Sequence, residues 1–483
     1  MKKFLNSVLT IAGFILVALA VFMPEALGAG GATYAFAMFI TKSFTWGGKE
    51  TYDYFLKPSF IGKSPWETQG VKIRDNIQSS EKLNYFGAAS NILKAYAKGF
   101  SAATGVTMTQ RTLTVTRLKG EIADDASSFY QTVYEALLNK DDWNNLDGTV
   151  LKPLILSIYK DALMRDVYRI FWLADPYKET LSSTTYGNQT GTPDTNYNQL
   201  TGMWKLIFDN AATSPSSTQI KRIAVADGAV AQVQTVTLTG SSGTCNINID
   251  GVNYLATFPG GGSITTTNDA FRTSHGAALL LRGYALSGTS TLIVTATVVG
   301  QPAAAITVSA AVTGDLTGSV AATVANTPPS ALSAGESEDT FLSMFNAQNE
   351  AMLVEPDSNK VLLVSRLLYQ NYQDYLETLS TVTANTKLEN GVSMLTYRGI
   401  PVIPMDWGLY LNSNFPHAAG YLPAYPHRAI LTVKGNLVMG MDALSQYNTI
   451  DSWYNKDEEE NRFRAKLTMG CQYVHNELMV VAY

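Results

Sequence analysis

Apolar and polar positions along the chain change their period several times, and each change predicts a different element. The first stretch has no period: Phe4 to Phe22 carries no charge and follows Lys2 and Lys3. TLTVTRLKGEI, residues 112–122, alternates apolar and polar positions and predicts a strand. SSFYQTVYEALL, led by Asp124 and Asp125, predicts a short helix with acid near its positive end. LKPLILSIYKDALMRDVYRIFWLAD, residues 151–175, carries the longest helical pattern. Thr149 is its expected N-cap, and Pro153 falls in the first turn. Ser157, Lys160, Asp161, Arg165 and Arg169 recur at three- and four-residue spacing and mark one narrow polar face. The other positions are mostly aliphatic or aromatic, which predicts a helix buried on most sides and about 35 Å long at about 1.5 Å per residue.

The pattern changes abruptly near Asp227. From 228 to 330 the only charged residues are Asp250, Asp269, Arg272, Arg282 and Asp315, and Thr, Gly, Ala, Ser and Val dominate. VQTVTLTG, NINIDGVNYLATF, STLIVTATVV and AAITVSAAVTG are alternating, β-branched runs separated by glycine and predict strands. TNDAFRTSHGAALLLRG predicts one helix, capped by Asn268 or Thr267 and closed by Gly283. Thr327-Pro-Pro marks the exit from this small β-rich module. Beyond it the background composition resumes. SEDTFLSMFNAQNEAML predicts a helix and KVLLVSRLLYQNYQDYLETL a strand running into a helix, while YRGIPVIPMDW, AILTVKGNLVMGMDA and LTMGCQYVHNELMVVAY predict strands. Elements of one α+β body therefore lie on both sides of the module, which makes 228–330 an insertion.

A chain of 483 residues exceeds the size at which single cores stop growing, about 250–300 residues, so two or more domains are expected. Charged residues make up 16%, against about 25% in an average soluble chain. So few ionic groups suit a subunit whose surface is largely covered by neighbours. The net charge of −5 provides no basic stripe for reading nucleic acid. With Cys245 and Cys471 as the only cysteines, a disulfide framework and a thiolate metal cage are both excluded.

Candidate chemistry is sparse. His275, His417, His427 and His475 show no metal-ligand spacing, and His475 fits a strand. Asp457–Glu460 lacks the glycine and alternation of a calcium loop and fits a solvated helix start. Cys471 has no basic neighbour in sequence to activate it. Gly28, Gly30 and Gly31 are not followed by a phosphate-loop Lys-Ser/Thr, and no nucleophile elbow occurs. No catalytic, cofactor-binding or metal residue is expected, and the chain is not expected to be an enzyme.

The last ninety or so residues carry a resemblance. RGIPVIPMDW (398–407), PHRAILTVKGNLVMGMDA (426–443) and WYNKDEEENRFRAKLTMGCQYVHNELMVVAY (453–483) resemble the closing third of a tailed-phage major capsid protein of the Hong Kong 97 type, with the crAss-like phages of Bacteroidota closest. KVLLVSRLLYQNYQDYL (360–376) is similar to that family's axial-domain strand and helix, and 151–175 to its long spine helix. The resemblance implies an α+β capsid fold with an arm at 1–65, an extended loop at 66–111 and a peripheral domain at 112–225 plus 444–483. It further implies an axial domain at 331–443, with the β-rich domain inserted at 228–330. It also implies a structural subunit that assembles as pentamers and hexamers into an icosahedral head around double-stranded DNA, without sequence-specific contact. The implied partners are copies of the chain and other virion proteins: portal, scaffold and auxiliary or decoration proteins. No stable membrane partner is expected. The implied location is the virion, assembled in the bacterial host cytoplasm.

Taken alone, Phe4–Phe22 fits a cleaved secretory signal, a membrane anchor or an arm packed on protein. The resemblance favours the arm, with removal by a maturation protease as the second reading. Two other functions stay open from the residues. One is a secreted or surface adhesin whose β module binds a glycan, with Tyr254 and Tyr284 the only aromatic platform. The other is a glycosidase using Asp457–Glu460.

Overall fold

The computed structural model describes residues 65–86, 98, 108–124, 145–146, 151–181, 189–216, 219–249, 251–297, 299–300, 306–379, 386–389, 392–415, 425–442 and 450–483. The arm, the expected helix at 127–138 and the Thr149 cap lie outside these residues.

In chain order, strands β1 (Val71–Arg74), β2 (Ser80–Phe86), β3 (Met108–Thr114) and β4 (Thr116–Asp124) precede helix α1 (Leu151–Leu173). Helix α2 (Met203–Asn210) and strand β5 (Ile220–Ile223) lead to the insertion. That holds β6 (Val233–Thr239), β7 (Gly243–Ile249), β8 (Val252–Thr257), α3 (Ile264–Leu281), β9 (Tyr284–Ser287), β10 (Leu292–Ala296) and β11 (Thr317–Val324). After it come α4 (Glu336–Asn346), β12 (Lys360–Ser365), α5 (Arg366–Thr378), β13 (Val392–Tyr397), β14 (Ile400–Met405), α6 (Trp407–Asn414) and β15 (Ala429–Val433). Strands β16 (Leu437–Gly440), β17 (Ile450–Asn455), β18 (Glu460–Tyr473) and β19 (Met479–Ala482) follow. The architecture is mixed α+β, as expected.

The chain divides into two compact units. The described parts of the smaller unit lie within Glu121–Tyr159 and Ile450–Arg464. In it β17 lies beside the first part of β18. Residues 456–459 form the turn of this hairpin, with Glu459 at φ 54° and Glu460 opening β18, so Asp457–Glu460 is not the helix start that its acidity suggested. Arg462 pairs with Glu458 and Glu460. Asn461 is buried and accepts from the Leu146 amide at 3.0 Å.

The larger unit carries the principal sheets. An eight-stranded sheet runs in the order 386–389, β13, β14, β12, β15, β19, β5, 211–212. Strand β12 pairs parallel with β14 and antiparallel with β15, and β19 fits between β15 and β5. Every residue of β12 and of β19 is buried, which explains their unbroken apolar runs. Helices α4 and α5 pack Phe341, Met344, Leu368, Tyr372 and Leu376 against Leu362, Val364, Leu431 and Val480. Trp407, at the start of α6, meets Trp204 of α2 and Trp172 of α1 edge-on at 5.0 and 5.2 Å. A second sheet places β1 parallel to β16, and β16 antiparallel to the end of β18. Val71–Arg74 is a sheet strand, and Met479–Ala482 pairs within the eight-stranded sheet. These pairings join segments distant in sequence, which a linear pattern does not contain.

Helix α1 is less enclosed in one chain than its composition suggests. Tyr159, Leu163, Val167 and Ile170 form its buried stripe, and only the last turn, Phe171–Leu173, is buried all round. Phe171 and Trp172 pack edge-on at 5.1 Å.

The insertion forms two sheets, β9-β10-β6-β11 and β8-β7 with the short strands 307–308 and 313–314. Val236, Leu238, Cys245, Ile247, Phe271, Leu279, Leu292 and Val294 close a core of its own. Helix α3 starts earlier than expected. Its cap is Ser263, in a reciprocal box with Thr266. Thr267 bonds back to the Ser263 carbonyl, and buried Asn268 reaches the Thr289 carbonyl at 3.0 Å. Gly283, at φ 90°, ends the helix as expected.

Candidate assembly surfaces

Strands β2 and β3 form an antiparallel hairpin with seven paired positions, Ser80↔Thr114 through Phe86↔Met108. At about 3.3 Å per residue the ribbon runs about 20 Å. Only Leu83 and Leu113 of its described side chains are buried; they meet Ile77 and Val438 at its base. Lys82, Asn84, Gln110 and Thr112 are exposed, so most of the ribbon's described side chains present polar groups to their surroundings. Arg74 and Glu81 pair at 2.7 Å, and Gln110 donates to Asn84 at 2.7 Å. The base is fixed to β18. Gln472 donates to the Thr112 carbonyl at 3.1 Å, and Arg111 lies 4.1 Å from the centre of the Tyr473 ring. Gly470 lets the two backbones touch, because a Cβ there would collide with the Thr114 carbonyl oxygen. The single strand expected over 112–122 is in fact two. Val115 breaks it by donating its amide to the Ser79 carbonyl at 2.9 Å.

The eight-stranded sheet leaves apolar side chains uncovered at both ends of its parallel pair. Before β12, Leu353 is half-exposed and Val354 is 85% exposed. After β12 and β14, which end in register at Ser365 and Met405, Leu367 and Leu409 are exposed beside the Arg366–Asp406 ion pair of 3.4 Å. An aliphatic residue as exposed as Val354 contributes nothing to the fold of a free chain, and covering it on a neighbour is favourable.

The residues singled out for chemistry are dispersed. His275 Nε2 donates to the Leu255 carbonyl at 3.1 Å, within the insertion. His427 is buried at the sheet. His475 sits in the turn after β18, not in a strand, because its amide bonds to the Asn436 side chain at 2.8 Å. His417 and Gly28, Gly30 and Gly31 lie outside the described residues. Cys471 is buried and bonds to the Thr201 carbonyl at 2.7 Å; burial pushes its thiol far up, which suits packing and not reactivity. Among the described residues, no three His, Cys, Asp or Glu converge as metal ligands, and no helix is long and apolar enough to cross a membrane. Tyr254 and Tyr284 are buried in the insertion core, so they form no aromatic platform for a sugar.

No family model matches the sequence, and no curated protein matches it. Among solved structures, the chain is similar to the capsid of the cyanophage P-SCSP1u, at 10% identity and TM-score 0.39, over 92% of this chain and 93% of that one. It is similar to the capsid of an empty GTA particle, at 8% identity and TM-score 0.38, over 92% and 98% of the two chains. It is also similar to the SrpI encapsulin of Synechococcus elongatus, at 9% identity and TM-score 0.36, over 90% and 95%.

Proposed function

We propose that this chain is a major capsid protein of a tailed double-stranded DNA phage, with the Hong Kong 97-type fold and a crAss-like relationship. The order of elements carries the reading. A hairpin (80–114), a 23-residue helix, the 228–330 module, the strands of the eight-stranded sheet and the returning β18 that joins the small sheet follow one another along the chain in the order that the resemblance implies. In this reading β2–β3 is the extended loop and α1 the spine helix. Strands β1, β16 and β18 belong to the peripheral domain, and the eight-stranded sheet is the axial domain. Residues 1–65 are the arm, laid on neighbouring subunits.

The mechanism is assembly. One chain serves pentamers and hexamers, so its contacts must tolerate small rotations. A two-stranded ribbon whose described side chains are mostly polar, and whose buried pair Leu83 and Leu113 sits at its base, is suited to pivot over a neighbour. The uncovered leucines and Val354 supply apolar contact area within capsomers. Portal, scaffold and auxiliary proteins are the further partners. DNA is enclosed, without sequence-specific contact. Assembly takes place in the host cytoplasm, and no membrane partner is invoked. Sedimentation velocity of the full-length protein tests the reading. Rings or shells far heavier than one chain are expected, and removal of the 80–114 ribbon should leave small species. A full-length protein that sediments only as a monomer contradicts it.

A further inference from the structure

We propose that Tyr425 and His427 form a latch holding the inserted module against the eight-stranded sheet, and that protonation of His427 opens it. The module is tied to the rest of the chain by a narrow stem. Val230 and Thr327 exchange backbone hydrogen bonds of 2.9 and 3.2 Å. Below them the amide and hydroxyl of Ser330 both donate to the Asp227 carbonyl, at 2.9 and 2.8 Å. Above the stem the module keeps its own core. Its position therefore depends on what grips the stem.

Two side chains from the segment entering β15 do so. The Tyr425 hydroxyl donates to the Thr297 carbonyl at 3.1 Å, and His427 Nε2 lies 3.0 Å from the Ser330 carbonyl. Both are fixed from the sheet side. The Tyr425 ring packs on Phe208 and Tyr483 at 5.4 and 5.2 Å, and Arg428 Nε donates to the Tyr425 carbonyl at 2.7 Å. Tyr425 is held at φ 48°, a left-handed conformation rarely adopted by a bulky residue, directly before Pro426. A strained residue at the point of grip is a place where a small loss of contact moves the chain.

The chemistry of His427 makes the grip sensitive to acid. A ring nitrogen facing a carbonyl must donate, so Nε2 carries the proton and the neutral ring leaves Nδ1 bare. The side chain is 2% exposed, and Nδ1 has no hydrogen-bond partner. A second proton there would be a buried donor without an acceptor, on a buried cation. Asp227 on the stem and Glu336 at the start of α4 favour that cation. The neighbouring Arg428, its guanidinium 5.1 Å from the rings of Trp204 and Phe208, adds a further buried positive charge. Burial outweighs the hydrogen bond to the Ser330 carbonyl and the two carboxylates, all of which favour the cation, and holds the imidazole below its ordinary range. The native form thus binds fewer protons than the released one, and the grip weakens as pH falls through the ordinary histidine range.

Hydrogen exchange of the stem peptides 227–232 and 325–331 in the full-length protein tests this, at about pH 7.5 and about pH 5 after correction for intrinsic rates. Protection is expected to fall at least about threefold in the unaltered protein. His427→Gln keeps an N–H donor but cannot titrate, so its stem should stay equally protected at both pH values. His427→Ala should be weakly protected at both. Peptide 360–365, in the sheet, should stay protected throughout. Equal stem protection at both pH values in the unaltered protein, the same fall in His427→Gln, or loss of 360–365 together with the stem would each overturn the latch.

Discussion

The insertion and the eight-stranded sheet are both β-rich, yet they reach stability by opposite routes. Strands β6, β7 and β8 bury alternate residues; β7 and β8 pair with each other across a tight turn, and β6 pairs with β10 and β11 within the same module. Strands β12 and β19 bury every residue, and β19 pairs with segments that begin about 50 and 260 residues earlier. One face of an insertion sheet meets a core and the other meets solvent or neighbours. Both faces of the central strands meet protein. The first arrangement shows as alternation within each strand, and the second shows only as an unbroken buried run that carries no alternation. A module of the first kind can be added to a sheet of the second kind without disturbing it, provided the stem closes, as Asp227 and Ser330 close it here.

Breaking the central sheet should have the largest effect. Val364→Asp places an unpaired carboxylate between β14 and β15 and facing α4 and α5, and should cost several kcal/mol, enough to abolish folding of the unit. Loss of the cooperative thermal transition, followed by circular dichroism, checks it. Phe271→Ala should cost about 3–5 kcal/mol, but within the insertion alone. Hydrogen exchange should then rise across 233–296 while 360–365 keeps its protection. Removal of the capping box by Ser263→Ala should lower insertion stability by about 1 kcal/mol, read as a shift of that module's own melting step. The smallest effect concerns Asp315. The Ser241 amide and the hydroxyls of Ser242 and Ser241 hold its carboxyl down at about 2. Its folded value lies below the unfolded one, so its contribution is present above the ordinary carboxylate range and is lost as pH falls toward about 2. Carboxyl NMR should show that midpoint, and Ser242→Ala should raise it.

What the sequence made legible follows from this contrast. The strands within 228–330 were visible because they alternate between glycines, and the strand-to-helix passage at Ser365 was visible because β-branched residues give way to a helical period. The cap of α3 was missed. Thr267 and Asn268 are capping residue types, while Ser263 follows three glycines that read as loop, and only the Thr266 reciprocity decides between them. The turn at Asp457–Glu460 was misread because acidic runs start helices as readily as they cross hairpins. The break before β19 was hidden because Asn436, from another strand, bonds to the His475 amide and carbonyl. The assembly surface was legible only through resemblance. Exposure of Val354 and the polarity of the β2–β3 ribbon emerge from packing, which a linear pattern does not contain.

Negative-stain electron microscopy of the purified full-length protein, with intact mass taken on the same sample, tests the capsid reading most directly. The account predicts capsomer rings or closed shells, with a mass that includes residues 1–30. Isolated monomers whose mass begins near residue 30, recovered from the periplasm, would contradict it and favour a secreted adhesin.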